Sequence, residues 1–297
     1  MLRSLQKFLL PRIPAGAGNW APDFMLSLYR RLSNDVCVVS YPCSGRTWLR
    51  LMLGYVLKSS ANMTVKNFWD LHLLPFTKGG ENLPRIILSH DDNVFIKTPA
   101  ELSSDRSHYI GRKVIFLARD PRDLIISWYF DQLKRGDLSG VATFKTFGGS
   151  LEEFIDIERG SLATIFAFYN SWMGDHQDAS DFLLMRYEDL HRQPEYELRR
   201  CLSFCGYGDV SDEVIAEAVK YAAFDNMRSI EENNTLGWDD FRPGDKADKQ
   251  SYKTRHGKIG DHMNQLAPEK CQMLDHAVKT QLDPKFGYDV AGGRNIS

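Results

Sequence analysis

The stretch VCVVSYPCSGRTWLRLMLGYVL, residues 36–57, decides the fold. Its opening residues are apolar and β-prone, Pro42, Ser44 and Gly45 follow as turn formers, and from Thr47 onward apolar residues recur at helical spacing. Strand, short polar turn and helix in that order make the phosphate cradle of α/β proteins. The first amides of the helix have no intrahelical partner, point at an anion, and are aided by the helix dipole. Gly45 allows close backbone approach, and the hydroxyls of Ser44 and Thr47 add donors. The pattern GxxxxGK[ST] is absent, which counts against an ordinary ATPase or kinase. A plain helix start behind a Ser/Gly turn accounts for the same residues without any ligand.

Working outward, further short apolar runs predict strands at 85–89, 113–118 and 182–186. Helical spacing covers 47–59, 121–135, 151–157, 162–177, 194–205, 212–221 and 268–281. Strands alternating with helices predict a single α/β domain, a central parallel β-sheet flanked by helices with a P-loop-like phosphate-binding turn. Asp120 and Pro121 suit the N-cap and first turn of the helix after the third strand. The domain is expected over 35–297, with 1–34 as a lead-in segment packed on it. Residues 231–260, polar and rich in turn formers, are the candidate lid.

The 297 residues carry 37 Lys+Arg against 39 Asp+Glu, a formal charge of −2 that gives duplex nucleic acid or an anionic membrane nothing to select. Pro11 and Pro14 break the short apolar run at the N-terminus well below membrane-spanning length, so neither a signal peptide nor an anchor is read there. The five cysteines are scattered and form no CxxC pair, which fits the cytoplasm; Cys201 and Cys205 read as one buried helix face, not half a zinc site. No metal site is expected.

A second anion site is readable in KVIFLARDPRDLIISWYF, residues 113–130, where Arg119 ends a strand and Ser127 lies about two turns into the next helix. Arg119 can fork onto a phosphate with Ser127 beside it, while Arg122 and Asp123 read as solvated pairs. Two anion sites after two strands imply a ligand with two separated anionic groups.

In these motifs the chain resembles the sulfotransferases that use 3'-phosphoadenosine 5'-phosphosulfate (PAPS). Their first signature reads approximately YPKSGTTW, their second is an Arg followed eight residues on by a Ser, and their third, RKGxxGDW, is similar to RHGKIGDH at 255–262. The agreement runs over about residues 35–282. The resemblance implies that Ser44, Gly45, Arg46, Thr47 and Trp48 hold the 5'-phosphosulfate, and Arg119, Ser127, Arg255, His256 and Gly257 the 3'-phosphate. Trp48 and Phe224 would sandwich the adenine, and Tyr187 would reach it, although Tyr187 also suits packing at a strand edge. His90, in PRIILSH, stands at the family's catalytic histidine and is the expected general base.

Two family lysines are missing: Cys43 stands in the first signature and Leu88 stands two residues before the histidine. Arg46, in place of a family threonine, is the expected substitute cation, with Lys97 a weaker candidate that also reads as a surface lysine. His256, Ala222, Ala223 and His262 are smaller departures. Asp91 and Asp92 beside the base, with Glu231, Glu232, Asp239 and Asp240 on the lid, suit a cationic or polyhydroxylated acceptor such as a saxitoxin-type alkaloid, or are solvated loop charges. Trp238, with Trp69, Phe76, Trp128, Tyr129 and Phe130, could wall the pocket for a flat acceptor, leaving a phenol or alcohol open. Two other functions stay open: a family member that binds the nucleotide without turning it over, and a nucleoside-phosphate kinase, which the absent P-loop lysine disfavours.

Overall fold

Four parallel strands carry the architecture: β1 (Val36–Ser40), β2 (Ile86–Ser89), β3 (Lys113–Ala118) and β4 (Asp181–Arg186), in the order β2-β1-β3-β4. This structure, a computed structural model, describes residues 35–61, 85–91, 93–135, 147–174, 178–238 and 240–289. The expected lead-in 1–34, together with Trp69, Phe76, Asp92 and Asp239, lies outside the described residues.

The strands are apolar on both faces because helices cover both. Along β1, Val36 and Val38 face one layer with α1 (Arg46–Ala61), α6 (Pro194–Phe204) and α7 (Asp212–Tyr221), whereas Cys37 and Val39 face the other. That second layer holds α2 (Pro121–Arg135), α3 (Leu151–Asp156), α4 (Leu162–Gly174) and α10 (Pro268–Gln281). In β3 the alternation repeats, with Ile115 and Leu117 on the first side and Val114, Phe116 and Ala118 on the second. No helix among the described residues is long and apolar enough to cross a membrane.

The remaining helices are α5 (Tyr187–Arg192), α8 (Phe224–Asn233) and the short α9 (His262–Gln265). Spacing alone did not predict them, since α5 follows β4 with no intervening residue and α9 is one turn long. Asp120 caps α2 as expected: its Oδ1 accepts the Arg122 amide at 3.0 Å.

Arg122 and Asp123 are not the solvated pair that the sequence suggested. Both are buried. Arg122 binds Asp120 and Asp275, while Asp123 accepts the backbone amides of Gly260 at 2.6 Å and His262 at 3.0 Å and the His262 ring at 2.7 Å. Asp123 thereby ties the third signature to the first turn of α2.

The candidate lid is equally well connected. Its first residues, 231–233, finish α8, and Glu231 is fully buried. The Glu231 carboxylate accepts the amides of Lys253 at 2.5 Å and Thr254 at 2.9 Å, the Thr254 hydroxyl at 2.5 Å, and Arg135 at 3.4 Å. An acid so committed does not offer charge to an acceptor. Replacing it by alanine leaves the buried Thr254 amide and hydroxyl without their acceptor, while Arg135 keeps Asp131, so Glu231→Ala should lower unfolding free energy by about 2–4 kcal/mol, measured by urea titration.

Candidate active site

The site lies where sheet order reverses. From β1 the chain goes outward to β2 on one side and β3 on the other, leaving a crevice at the carboxyl ends. Each strand delivers a residue there: the turn 41–45 follows Ser40, His90 follows Ser89, Arg119 follows Ala118 and Tyr187 follows Arg186. They border a cavity of 830 Å³, lined among others by Gly45, Arg46, Thr47, Trp48, His90, Arg119, Ser127, Tyr187, Phe224, Trp238, Arg255, His256 and Gly257.

The turn that opens α1 is built by two left-handed residues, Cys43 at φ 65 and Gly45 at φ 98. A Cβ on Gly45 would meet the Tyr187 ring at 2.7 Å, so glycine is required by space as well as by backbone. Ser44 is fully buried and is not among the residues that border the cavity.

Arg119 is held from three sides. Its Nη1 donates to the Cys43 carbonyl at 3.0 Å and the Ser127 hydroxyl at 3.1 Å, and its guanidinium stands 4.5 Å from the Tyr187 ring centre. Arg255 donates to Asp261 at 2.7 Å, and its guanidinium lies 4.5 Å from the ring centre of Phe130. His256 also turns onto Asp261, at 2.9 Å. Gly257, at φ 63, lies against Phe224, whose ring would be 2.5 Å from an added Cβ. Trp48 has Tyr187 and His191 edge-on at 5.8 and 6.2 Å, and Phe224 is 41% exposed, leaving ring faces for a flat ligand.

His90 is oriented by Ser40. Its Nδ1–H donates to the Ser40 carbonyl at 2.7 Å, which leaves the lone pair on Nε2, where Arg46 Nη2 donates at 2.6 Å. Burial, then the Arg46 charge, hold the imidazole well below its ordinary value of 6.5. Burial and the neighbouring Arg50 bring Arg46 down to about 10. Arg50, one turn further along α1, lies 3.6 Å from the centre of the Trp238 ring and donates to both Asp240 oxygens at 3.3 Å.

Asp91 does not belong to the site. Its oxygens accept Tyr109 at 2.8 Å, Arg106 at 2.9 Å and Trp172 at 3.0 Å, so the acceptor role expected of it is withdrawn. Lys97 also does not line the cavity. Residues that the sequence reading missed are Lys253, His191 and Arg50, whereas Phe130 lines the cavity as that reading allowed. Arg50 stands at i+4 from Arg46 and His191 at i+4 from Tyr187, so helical spacing could have found both.

Residues 33–286 match the family described as Sulfotransferase domain. This chain belongs to the sulfotransferase family. It is 25% identical over 271 residues to cytosolic sulfotransferase 17 of Arabidopsis thaliana, covering 83% of this chain and 74% of that protein. Amine sulfotransferase of Oryctolagus cuniculus is 26% identical over 271 residues, covering 86% of this chain and 84% of the other. This sulfotransferase shares its fold with the crystal structure of mouse sulfotransferase SULT7A1 complexed with PAP, with a TM-score of 0.55, 20% identity and 84% of each chain covered.

Buried polar atoms without a protein partner include Arg46 Nη1, Trp48 Nε1, Arg119 Nε and Arg255 Nε, all on residues that line the cavity. Donors left over in this way suit a ligand rich in anionic oxygens.

Proposed function

We propose that this sulfotransferase uses PAPS as donor and transfers its sulfuryl group to a hydroxyl or amine of a flat, largely apolar small molecule. The observation that carries the reading is His90, its tautomer set by Ser40 and its Nε2 directed at Arg46, in a cavity bordered by both anion anchors. Thr47 and the first amides of α1, with Arg46, would hold the 5' end. Arg119, Ser127, Arg255 and Gly257 would hold the 3'-phosphate, with Trp48, Tyr187 and Phe224 on the base. PAPS supplies an activated sulfuryl group whose leaving group is a phosphate.

The chain's own contribution is proton management and charge. His90 Nε2 takes the proton of the acceptor's attacking group, and Arg46 passes from that lone pair to the oxygens gaining charge. A cationic acceptor loses its support because Asp91 and Glu231 are spent on protein partners and Asp240 on Arg50. Leu88, Phe95, Trp128, Phe130, Trp238 and Phe241 line the cavity instead, which favours an aromatic or alicyclic acceptor. The five free thiols accord with a cytoplasmic setting.

Incubation with PAPS and a panel of phenols, alcohols and amines, followed by release of adenosine 3',5'-bisphosphate (PAP), tests the reading. Cys43 and Leu88 in place of lysines favour one rival, a member that binds PAP without turnover. Tight PAP binding with no release on any acceptor would establish that rival. Arg46→Ala should slow turnover and also move the acid limb of kcat/KM. His90 must be neutral to act, so activity falls as pH drops through its pKa. Arg46 lowers that pKa, so its removal should shift the limb upward toward 6.5. An unchanged rate in Arg46→Ala with a dead His90→Ala would remove Arg46 from the mechanism.

A further inference from the structure

Cys43 and Leu88 both line the cavity, so two neutral side chains occupy the places where the family resemblance leads one to expect ammonium groups. Burial pushes the Cys43 thiol up to about 12, so it offers no thiolate either. Another cation reaches the same cavity from the far end of the sequence. Lys253 lines it, half-buried, and its Nζ donates to the Asp240 carbonyl at 3.1 Å. An ammonium has three donors, and this bond uses one.

The backbone that presents Lys253 is fixed. Its amide donates to the buried Glu231 carboxylate at 2.5 Å and the next amide does so at 2.9 Å, while Arg135 closes on the same carboxylate. Two residues on, Arg255 lines the cavity too. The Lys253 charge is felt at both catalytic landmarks: it opposes the rise of the Cys43 thiol and adds to the fall of the His90 imidazole.

We propose that Lys253 is a further catalytic residue, the cation that faces the bridging oxygen at the 5' end in place of the two absent lysines. The proposal rests on the donor reading above. In the step, a lone pair on the acceptor oxygen or nitrogen forms a bond to sulfur as the bond from sulfur to the bridging oxygen breaks. The released electron pair stays on that oxygen, the acceptor proton goes to His90 Nε2, and Lys253 meets the charge accumulating on the phosphate.

The full chain is compared with Lys253→Met and with Cys43→Lys/Lys253→Met. Binding of PAP and of adenosine 3'-phosphate, which lacks the 5' group, is measured by calorimetry, and kcat by PAP release. Lys253→Met should weaken PAP by about tenfold, leave adenosine 3'-phosphate within about twofold, and lower kcat by about 10²-fold. Returning a lysine at position 43 should recover most of both losses. Equal weakening of the two nucleotides would make Lys253 a structural residue and overturn the proposal. So would a kcat within about threefold of the parent, or no recovery in the double variant. A parent chain that binds neither nucleotide overturns the donor reading itself, and the proposal with it.

Discussion

His90→Ala should lower kcat by about 10²–10⁴-fold while PAP affinity stays within a few-fold of the parent. The asymmetry follows from position. The ring is fixed on one side by Ser40, and Nε2 meets Arg46, not the residues expected at the 3'-phosphate or the base. His90→Asn is the companion variant, since a side-chain amide can still donate to the Ser40 carbonyl but has no basic nitrogen. Steady-state kinetics with calorimetric PAP binding read both quantities. Should either variant retain turnover within about threefold, the base is another group.

Arg119→Ala should have the opposite signature. A buried arginine forked onto a phosphate is among the stronger charge-assisted contacts, and its loss is expected to weaken PAP by about 2–5 kcal/mol, roughly 30-fold to several thousand-fold. Arg119→Lys should recover little, because an ammonium has no planar fork to offer a phosphate once it is held by the Cys43 carbonyl and the Ser127 hydroxyl, and no guanidinium face to lay on Tyr187. The sharper measurement compares PAP with adenosine 5'-phosphate. If Arg119 serves the 3'-phosphate, the second nucleotide loses almost nothing; parallel losses would show a collapsed site.

The sheet and the turn that opens α1 were legible in the sequence because they are local. β1, its turn and α1 are contiguous, and the strand and helix periods differ enough to read the boundary at Gly45. Arg119 and Ser127 were readable for the same reason, since one strand end and one helix carry both. What failed was anything that depends on long-range partners. Asp91 and Glu231 looked like loop acids and Asp123 like half of a solvated pair, and only the folded chain brings Arg106, Lys253 and Gly260 to them. Burial of a carboxylate is a property of its neighbours, not of the adjacent sequence. Lys253 was missed in the same way: it sits in a stretch without periodicity, and only the folded chain brings it to the cavity that Cys43 and Leu88 line.

The Glu231 clasp also bears on how such an enzyme diversifies. Because Lys253 and Thr254 return to the carboxylate where the stretch begins, the two ends of this detour are held together at Glu231. Trp238, Asp240 and Phe241, which line the cavity, all lie inside that detour, whereas Arg255 and Gly257 lie beyond it, and Asp123 clasps Gly260 and His262 just downstream. The detour still holds two cations of the cavity, since Asp240 pairs with Arg50 and its carbonyl accepts Lys253, so substitution at Trp238 or Phe241 alters the apolar wall more selectively than substitution at Asp240. Descendants of this sequence can reshape the cavity wall at those two positions while the Glu231 and Asp123 clasps keep Arg255 and Gly257 in place.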